Sequence, residues 1–479
     1  MDHRHFAIVT RWLHENRVWL EELDQVIRRA RGPRGLPVSV LFAGFLCCLL
    51  DHQPTTVKAV HATLAHRCNR WEREALGLTT ASVPSVHAFY RTLGRLLDAV
   101  RSGFPERPGA EPGALSSLLQ PDDEAGRLGA LLDLIVQSTV PPPGAERLWS
   151  ADTTYLDANC WPISRARFDA GERASDPDAS GRRIKRPNGT EKQVFGYAVT
   201  TMVCSEGTKE FVDAVRVDTA SAHDRPKVVE MVHNLKKAGF PIRKLAVDRG
   251  IKSQELNAEL RALEVEPVFD LDANEGGYEG TYRGLLIVDG WLYSPALPKR
   301  LRQSLPKPLA TGPDGREKLA QWQKDMDERQ RYAWRVRQEL GPGRVQLMPP
   351  VGVGCRHPAL RSTLRARDLS LATCPGDHGP DQACGLKTLV WDAARAPITW
   401  QNPSWGSRKW QREYAKRSSV ERGYSMLKNP DLIQMQNKAI RLRGRTKFGI
   451  VVALACAAVN LHLSSLAAKG AGPSTTRAA

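Results

Sequence analysis

Apolar residues in the first hundred positions recur at helical spacing. In Arg11–Arg31 they are Trp12, Leu13, Val18, Leu20, Leu23, Val26 and Ile27, a recurrence that predicts one amphipathic helix. Pro33, Gly35 and Pro37 break it. A second helix is predicted at Val38–Leu50. Thr55 or Thr56 caps a third that runs through Val60 and Leu64, and a fourth spans Ser85 to about Ala99. Residues 1–102 therefore read as a helical N-terminal domain. Its short helices and tight breaks suit a DNA-binding helix-turn-helix, and equally any small helical bundle. Residues 103–146 read as a linker (Phe104–Ser117, rich in Pro, Gly and Glu) and a short helix, Glu124–Ser138, ended by Pro141–Gly144.

The pattern then changes. LWSADTTYLDA, VFGYAVTTMVCS, EFVDAVRVDTA, KLAVD and VEPVFDL each predict a strand, and Asp224–Ala238 and Ser253–Leu263 predict helices. The polar stretch Gly171–Lys192 reads as a loop. Strands interleaved with helices predict an α/β fold, a mixed sheet flanked by helices, over 147–274. Residues 275–405 read as a largely β insertion with a hairpin (GLLIVDGWLYSPA), a charged helix near 314–340 and a Cys/His-containing stretch. A long basic helix over 408–428 and a further helical segment over 437–468 complete the core (406–468). Residues 469–479 read as a disordered tail.

At 479 residues the chain exceeds the roughly 250–300 at which a single core stops growing, so two or three domains are expected. The formal net charge is +17, which favours a polyanionic partner. The surplus concentrates in 408–447, where twelve Lys and Arg face only Glu413, Glu421 and Asp431. The longest apolar runs, Val40–Leu50 and Phe448–Val459, are shorter than the roughly 20 residues of a spanning helix, and no membrane association is expected. Nine scattered cysteines argue against a disulfide framework and for the cytoplasm.

Three acids stand in telling places. Asp152 lies inside the first strand, where a carboxylate is costly unless paired or metal-bound. Asp248 closes the apolar run Leu245-Ala246-Val247, at the strand end where α/β sheets place ligands. Around Glu421, the residues Tyr414, Arg417 and Lys428 have the spacing Y-(2)-R-(3)-E-(6)-K. At about 100° per residue on one continuous helix, all four share a narrow stripe. One acid between two bases and a phenol suits a metal-bound phosphate: Glu421 for the metal, Arg417 and Lys428 for phosphate oxygens, Tyr414 for a hydroxyl or stacking contact.

On these residues the chain resembles the DDE superfamily of insertion-sequence transposases, and within it the subgroup bearing the Y-R-E-K signature. The resemblance covers roughly 147–465. It implies a ribonuclease H-like core carrying the first acid on its first strand, the second on its fourth and the third on a later helix, with an insertion before that helix. It implies Asp152, Asp248 and Glu421 as catalytic metal ligands, with Tyr414, Arg417 and Lys428 at the DNA. Two Mg²⁺ (or Mn²⁺) ions would serve a cut-and-paste reaction through a hairpin intermediate. The partners would be double-stranded DNA, as terminal inverted repeats and target, and a second copy of the chain in a synaptic complex. Arg249-Gly250-Ile251 departs from the small residue, Gly and aromatic that often follow the second acid. A hairpin step needs a displaced base, and Trp391, Trp400, Trp405 and Trp410 are candidates to receive it, although packing in the core is the commoner role of a tryptophan.

A structural Zn²⁺ is a further candidate at Cys355, Cys374, His378 and Cys384, with His357 near; plain reduced thiols are the other reading. Two competing functions have distinct signatures. A ribonuclease H-like junction resolvase would cut without joining. A DNA-binding protein derived from a transposase and lacking catalysis would not cut, but it would have no use for three acids that repel DNA.

Overall fold

The computed structural model describes residues 2–28, 35–78, 82–104, 115, 121–141, 148–163, 167, 169–185, 190–206, 209–272, 274–308, 314–351, 386–396, 398–429, 431–435 and 438–470. They form two compact units. One comprises 1–147, 151–240 and 419–479; the other comprises 148–150 and 241–418.

The first unit opens with helices α1 (His3–Glu15), α2 (Arg17–Val26), α3 (Val38–Leu50), α4 (Val57–His66), α5 (Arg70–Ala75) and α6 (Val86–Ser102). The single helix expected over Arg11–Arg31 is instead two, broken at Asn16. The Asn16 side chain donates to the Trp12 carbonyl at 2.9 Å, beside the Asn16 backbone N–H on the same oxygen at 3.0 Å, a local side-chain bond that caps the end of α1. Helix α3 has nearly every side chain buried. Its N-cap is Pro37, and Asp24 of α2 accepts from Val38 N instead (3.2 Å). Thr56 caps α4 as expected. Helix α7 (Glu124–Gln137) sends Arg127 to the carbonyls of Val100 and Arg101, satisfying the open C-terminus of α6.

Strands β1 (Leu148–Asp157), β2 (Ser180–Lys185), β3 (Glu191–Glu206) and β4 (Lys209–Thr219) follow, then helix α8 (Arg225–Lys237). Within this unit the order is β2-β3-β1, with β4 also on β3. The antiparallel β2 pairs with Glu191–Gly196, and β4 with the rest of β3. Strand β2 corrects the expected loop over Gly171–Lys192: SGRRIK is polar because it is an edge strand, and its pairing comes from β3. Gly196 is required by close approach, since a Cβ there would lie 2.1 Å from the Leu156 carbonyl oxygen.

In the second unit come β5 (Lys244–Val247), α9 (Gln254–Ala262) and β6 (Glu266–Phe269), ordered β1-β5-β6, with β5 and β6 parallel. Next are β7 (Tyr278–Tyr282), β8 (Leu285–Val288), β9 (Trp291–Tyr293), α10 (Gly315–Gln330), β10 (Arg335–Gly341), β11 (Arg344–Met348) and β12 (Leu389–Asp392), giving two three-stranded antiparallel sheets. The expected hairpin is β8–β9. Its turn is Asp289-Gly290, both at positive φ (49° and 75°), as a two-residue turn of this hand demands. The charged helix ends at Gln330 and not near 340, because Arg335–Gly341 pairs with β11. Arg329 is fully buried and ion-paired to Asp289, tying that helix to the hairpin turn.

Helix α11 (Arg408–Tyr414) ends the second unit; α12 (Ser418–Lys428) and α13 (Arg445–Gly470) belong to the first. The segment before Arg445, expected to be helical from 437, is not. Helix α13 corrects the reading that no segment reaches membrane-spanning length. Arg445–Leu466 is long and apolar enough, at mean hydropathy 1.8, but two-thirds of that window is buried in the protein (67%). Its Asn460 side chain grips β4 by accepting from Val212 N (2.9 Å) and donating to Val212 O (2.8 Å). A core helix buried all round is apolar all round.

Candidate active site

The site is built first on β1. Its opening residues are buried, and Asp152–Tyr155 are only half-buried. The strand thus leaves the core at Asp152, which accepts from Thr153 N at 2.7 Å. Thr153 meets Thr200 of β3 at 2.9 Å. Arg182 stands 4.7 Å over the Tyr155 ring. Burial, with the charge of Asp224 behind it, pushes the Tyr155 phenol up to about 12.

Helix α12 carries Glu421 and Lys428, seven residues apart and so on one face. Its inner stripe is Val420, Tyr424 and Leu427, all buried. Tyr424 is the residue that fastens the helix. Its hydroxyl donates to the Asp152 carbonyl and lies 3.2 Å from the Val199 carbonyl, and it accepts from Thr201 N at 3.2 Å. Lys428 donates to Thr154 Oγ1. Two side chains of α12 therefore grip β1 at and just beyond Asp152, and Glu421 lies one turn before Tyr424, exposed. Burial, then the charge of Lys192, lowers the Lys428 pKa, and the Asp152 carboxylate opposes them.

Tyr424 is not among the residues singled out from the sequence. The signal was present: a tyrosine on the i, i+4, i+7 apolar stripe of a helix faces the core, where its hydroxyl needs a partner.

In the other unit Asp248 directly follows β5, and its carbonyl accepts from Ile251 N and Lys252 N. Arg417 Nη1 lies 3.7 Å from Asp248 Oδ1, with side chains 20% and 39% exposed, so both remain open to solvent. Tyr414 stacks flat on Trp410, ring centroids 5.0 Å apart and planes at 9°, and the Arg417 guanidinium stands 5.8 Å from the Tyr414 ring centroid. Burial drives the Tyr414 phenol well above its ordinary value, so it stays a neutral hydroxyl donor.

The expected continuous helix over 408–428 is broken. Ala415–Arg417 form a turn of 3₁₀ helix, and Ser418 Oγ donates back to the Ala415 carbonyl at 2.8 Å. The uniform step that placed Tyr414, Arg417, Glu421 and Lys428 on one stripe fails there. The structure brings Tyr414 and Arg417 to Asp248 in one unit, and Lys428 and the helix of Glu421 to Asp152 in the other.

Three carboxylates offer oxygen donors alone, which fits a hard divalent cation and not zinc. Among the described residues no three His, Cys, Asp or Glu side chains are gathered into a ready cage for a metal ion. The zinc candidates Cys355, Cys374, His378 and Cys384 lie outside the described residues. Trp391, Trp400, Trp405 and Trp410 are at most 2% exposed. Trp405 donates to Asp270 and Trp410 to the Phe269 carbonyl, so these are core residues and not open platforms for a base.

Comparison with known proteins agrees at the level of the superfamily. The family described as "Transposase DDE domain" matches residues 150–461, a span that includes all three acids. No curated protein and no solved structure gives a match. With almost two-thirds of its length covered by that family, the chain belongs to the DDE transposases.

Proposed function

We propose that this transposase cuts DNA at the ends of an insertion sequence and joins the freed 3′ ends to a target, with Asp152, Asp248 and Glu421 as one catalytic set. The observation that carries the reading is the double attachment of α12 to β1, through Tyr424 to the Asp152 carbonyl and Lys428 to Thr154. An acid-bearing helix fixed to an acid-bearing strand is what a phosphodiester site requires, because catalysis of phosphoryl transfer rests on positioning and charge.

The three carboxylates would hold Mg²⁺ or Mn²⁺, which when bound would activate the attacking oxygen and stabilise the leaving one. This chain's own residues do the rest. Lys428, with its ammonium beside Asp152, would take one phosphate oxygen, and Arg417 would take another with its planar fork. Tyr414, kept protonated by burial, would donate its hydroxyl. The spacing Tyr414, Arg417, Glu421, Lys428 supports placement in the Y-R-E-K subgroup. With it come a ribonuclease H-like core, the hairpin route of cut-and-paste movement and pairing of two copies at the terminal inverted repeats. The helices of 1–102 would read those repeats.

The test is cleavage of a duplex carrying the element's own ends, with Mg²⁺ or Mn²⁺, comparing wild type with Glu421→Gln. Metal-dependent nicking that the variant loses, followed by a hairpin product, is expected. Equal nicking by both proteins would remove Glu421 from the site, and linear ends without hairpins would remove the subgroup.

A further inference from the structure

Beyond β1 the first unit carries a cleft of about 440 Å³, and Trp161, Arg167, Arg173, Lys438 and Arg443 line it. Trp161 is 80% exposed, unusual for the side chain with most to gain from burial. One face of the indole is taken: Lys438 Nζ sits 3.7 Å from the ring centroid. Lys438 is held there by donating to the Cys160 carbonyl at 3.1 Å, and its backbone adopts φ 61°. The tryptophan is thus braced from one side.

Arg167 is paired with Glu172 at 2.5 Å, and Arg173 donates to the Glu172 carbonyl at 3.0 Å. Arg443 is exposed and close enough to act on the Cys160 thiol. Of the four lining cations Arg167 is neutralised by Glu172, and the buried Asp176 also acts on Cys160; Arg173, Lys438 and Arg443 still leave the cleft with a positive surplus. An open aromatic face inside a basic groove is the arrangement that binds unpaired nucleotides: bases stack on the ring and phosphates lie along the cations.

We propose that this cleft is a subsite for single-stranded DNA, with one base stacked on the free face of Trp161 and the adjoining phosphates on Arg173 and Arg443. Lys438 raises the affinity indirectly, by fixing the ring. The proposal rests on the transposase reading, which supplies DNA as the partner. It adds the place where the chain takes a strand no longer in duplex. Trp161 is nine residues beyond Asp152, at most about 30 Å along an extended chain, so one strand a few nucleotides long could occupy both.

The test uses the full chain and fluorescein-labelled oligothymidine, twelve nucleotides long, with a duplex of the same length as control, read by anisotropy across a salt series. Trp161→Ala should weaken oligothymidine binding about tenfold and leave the duplex unchanged, while Trp161→Phe retains most of the affinity. Arg443→Ala should lower the slope of log affinity against log salt by about 0.7, the value for one phosphate contact on a single strand. Trp161 is exposed, so thermal unfolding should be unaltered. Wild-type oligothymidine affinity in Trp161→Ala, or equal losses on single strand and duplex, would overturn the subsite. If Trp161→Ala binds like wild type while wild type still cuts the element's ends, the subsite alone falls. If wild type binds neither probe nor cuts, the transposase reading falls with it.

Discussion

Tyr424→Phe is the most informative single change, because it removes one oxygen atom and leaves the helix, the ring and the core volume intact. That oxygen accepts from Thr201 N at 3.2 Å and has one hydrogen to share between the carbonyls of Asp152 and Val199. Two hydrogen bonds are therefore lost. Each is worth about 0.5–1.5 kcal/mol net, and the buried groups left behind lose their partner, so the cost is about 1–3 kcal/mol. For a unit of this size that lowers the unfolding temperature by about 2–6 °C. The protein stays folded at assay temperature, but α12 loses its bond to the strand of Asp152. A misplacement costing 1.4 kcal/mol at the transition state slows cleavage about tenfold. End cleavage should thus fall tenfold or more with binding to the duplex ends unchanged, read by single-turnover cleavage beside anisotropy and a melting curve. A Phe variant that melts lower yet cleaves at the wild-type rate would show Tyr424 to be ordinary core, and the positioning argument would fail.

Other consequences follow from particular contacts. Burial holds Lys428 below its ordinary 10.5, so between the lowered value and 10.5 the unfolded chain binds more protons and stability rises with pH; phosphate affinity falls over that range, whereas Lys428→Arg should bind DNA with a flat profile, and parallel profiles would refute the role. Gly196→Ala should cost at least about 3 kcal/mol in chemical denaturation, since its Cβ meets backbone, while Gly181→Ala, with nothing within 4 Å, serves as the mild control. Arg216 holds Asp133 through two 2.7 Å bonds with both side chains buried; Arg216→Met should destabilise by about 3–5 kcal/mol, and adding Asp133→Leu should recover most of it.

Much of the fold was legible because its signals are local. The run Leu245-Ala246-Val247-Asp248, the cap at Thr56 and the apolar block Val38–Leu50 each determine an element within a few residues. The failures share a different cause. Strand β2 is polar and exists because β3 offers an edge. Arg335–Gly341 looks helical by charge but is claimed by β11. At Ala415–Arg417 the helix tightens into a 3₁₀ turn, a change that the pattern of charges does not report. The three proposed acids and the Y-R-E-K spacing stand out in the sequence because chemistry restricts residue type. What holds them was not, since Tyr424 and Asp152 are separated by 272 positions, and no periodicity reports a contact across such a distance.

The amide of Asn460 imitates a neighbouring strand: it offers Val212 one acceptor and one donor, as the next chain in a sheet would. The outer margin of β4 is therefore closed by a helix and not by a strand of its own. A chain truncated before Asn460 would keep β4 paired to β3 and Phe448–Val459 in the core, but would leave Val212 N and O without their partner at that margin. An open strand edge invites pairing with another chain, so Asn460 serves as a guard of that edge as well as a part of the core.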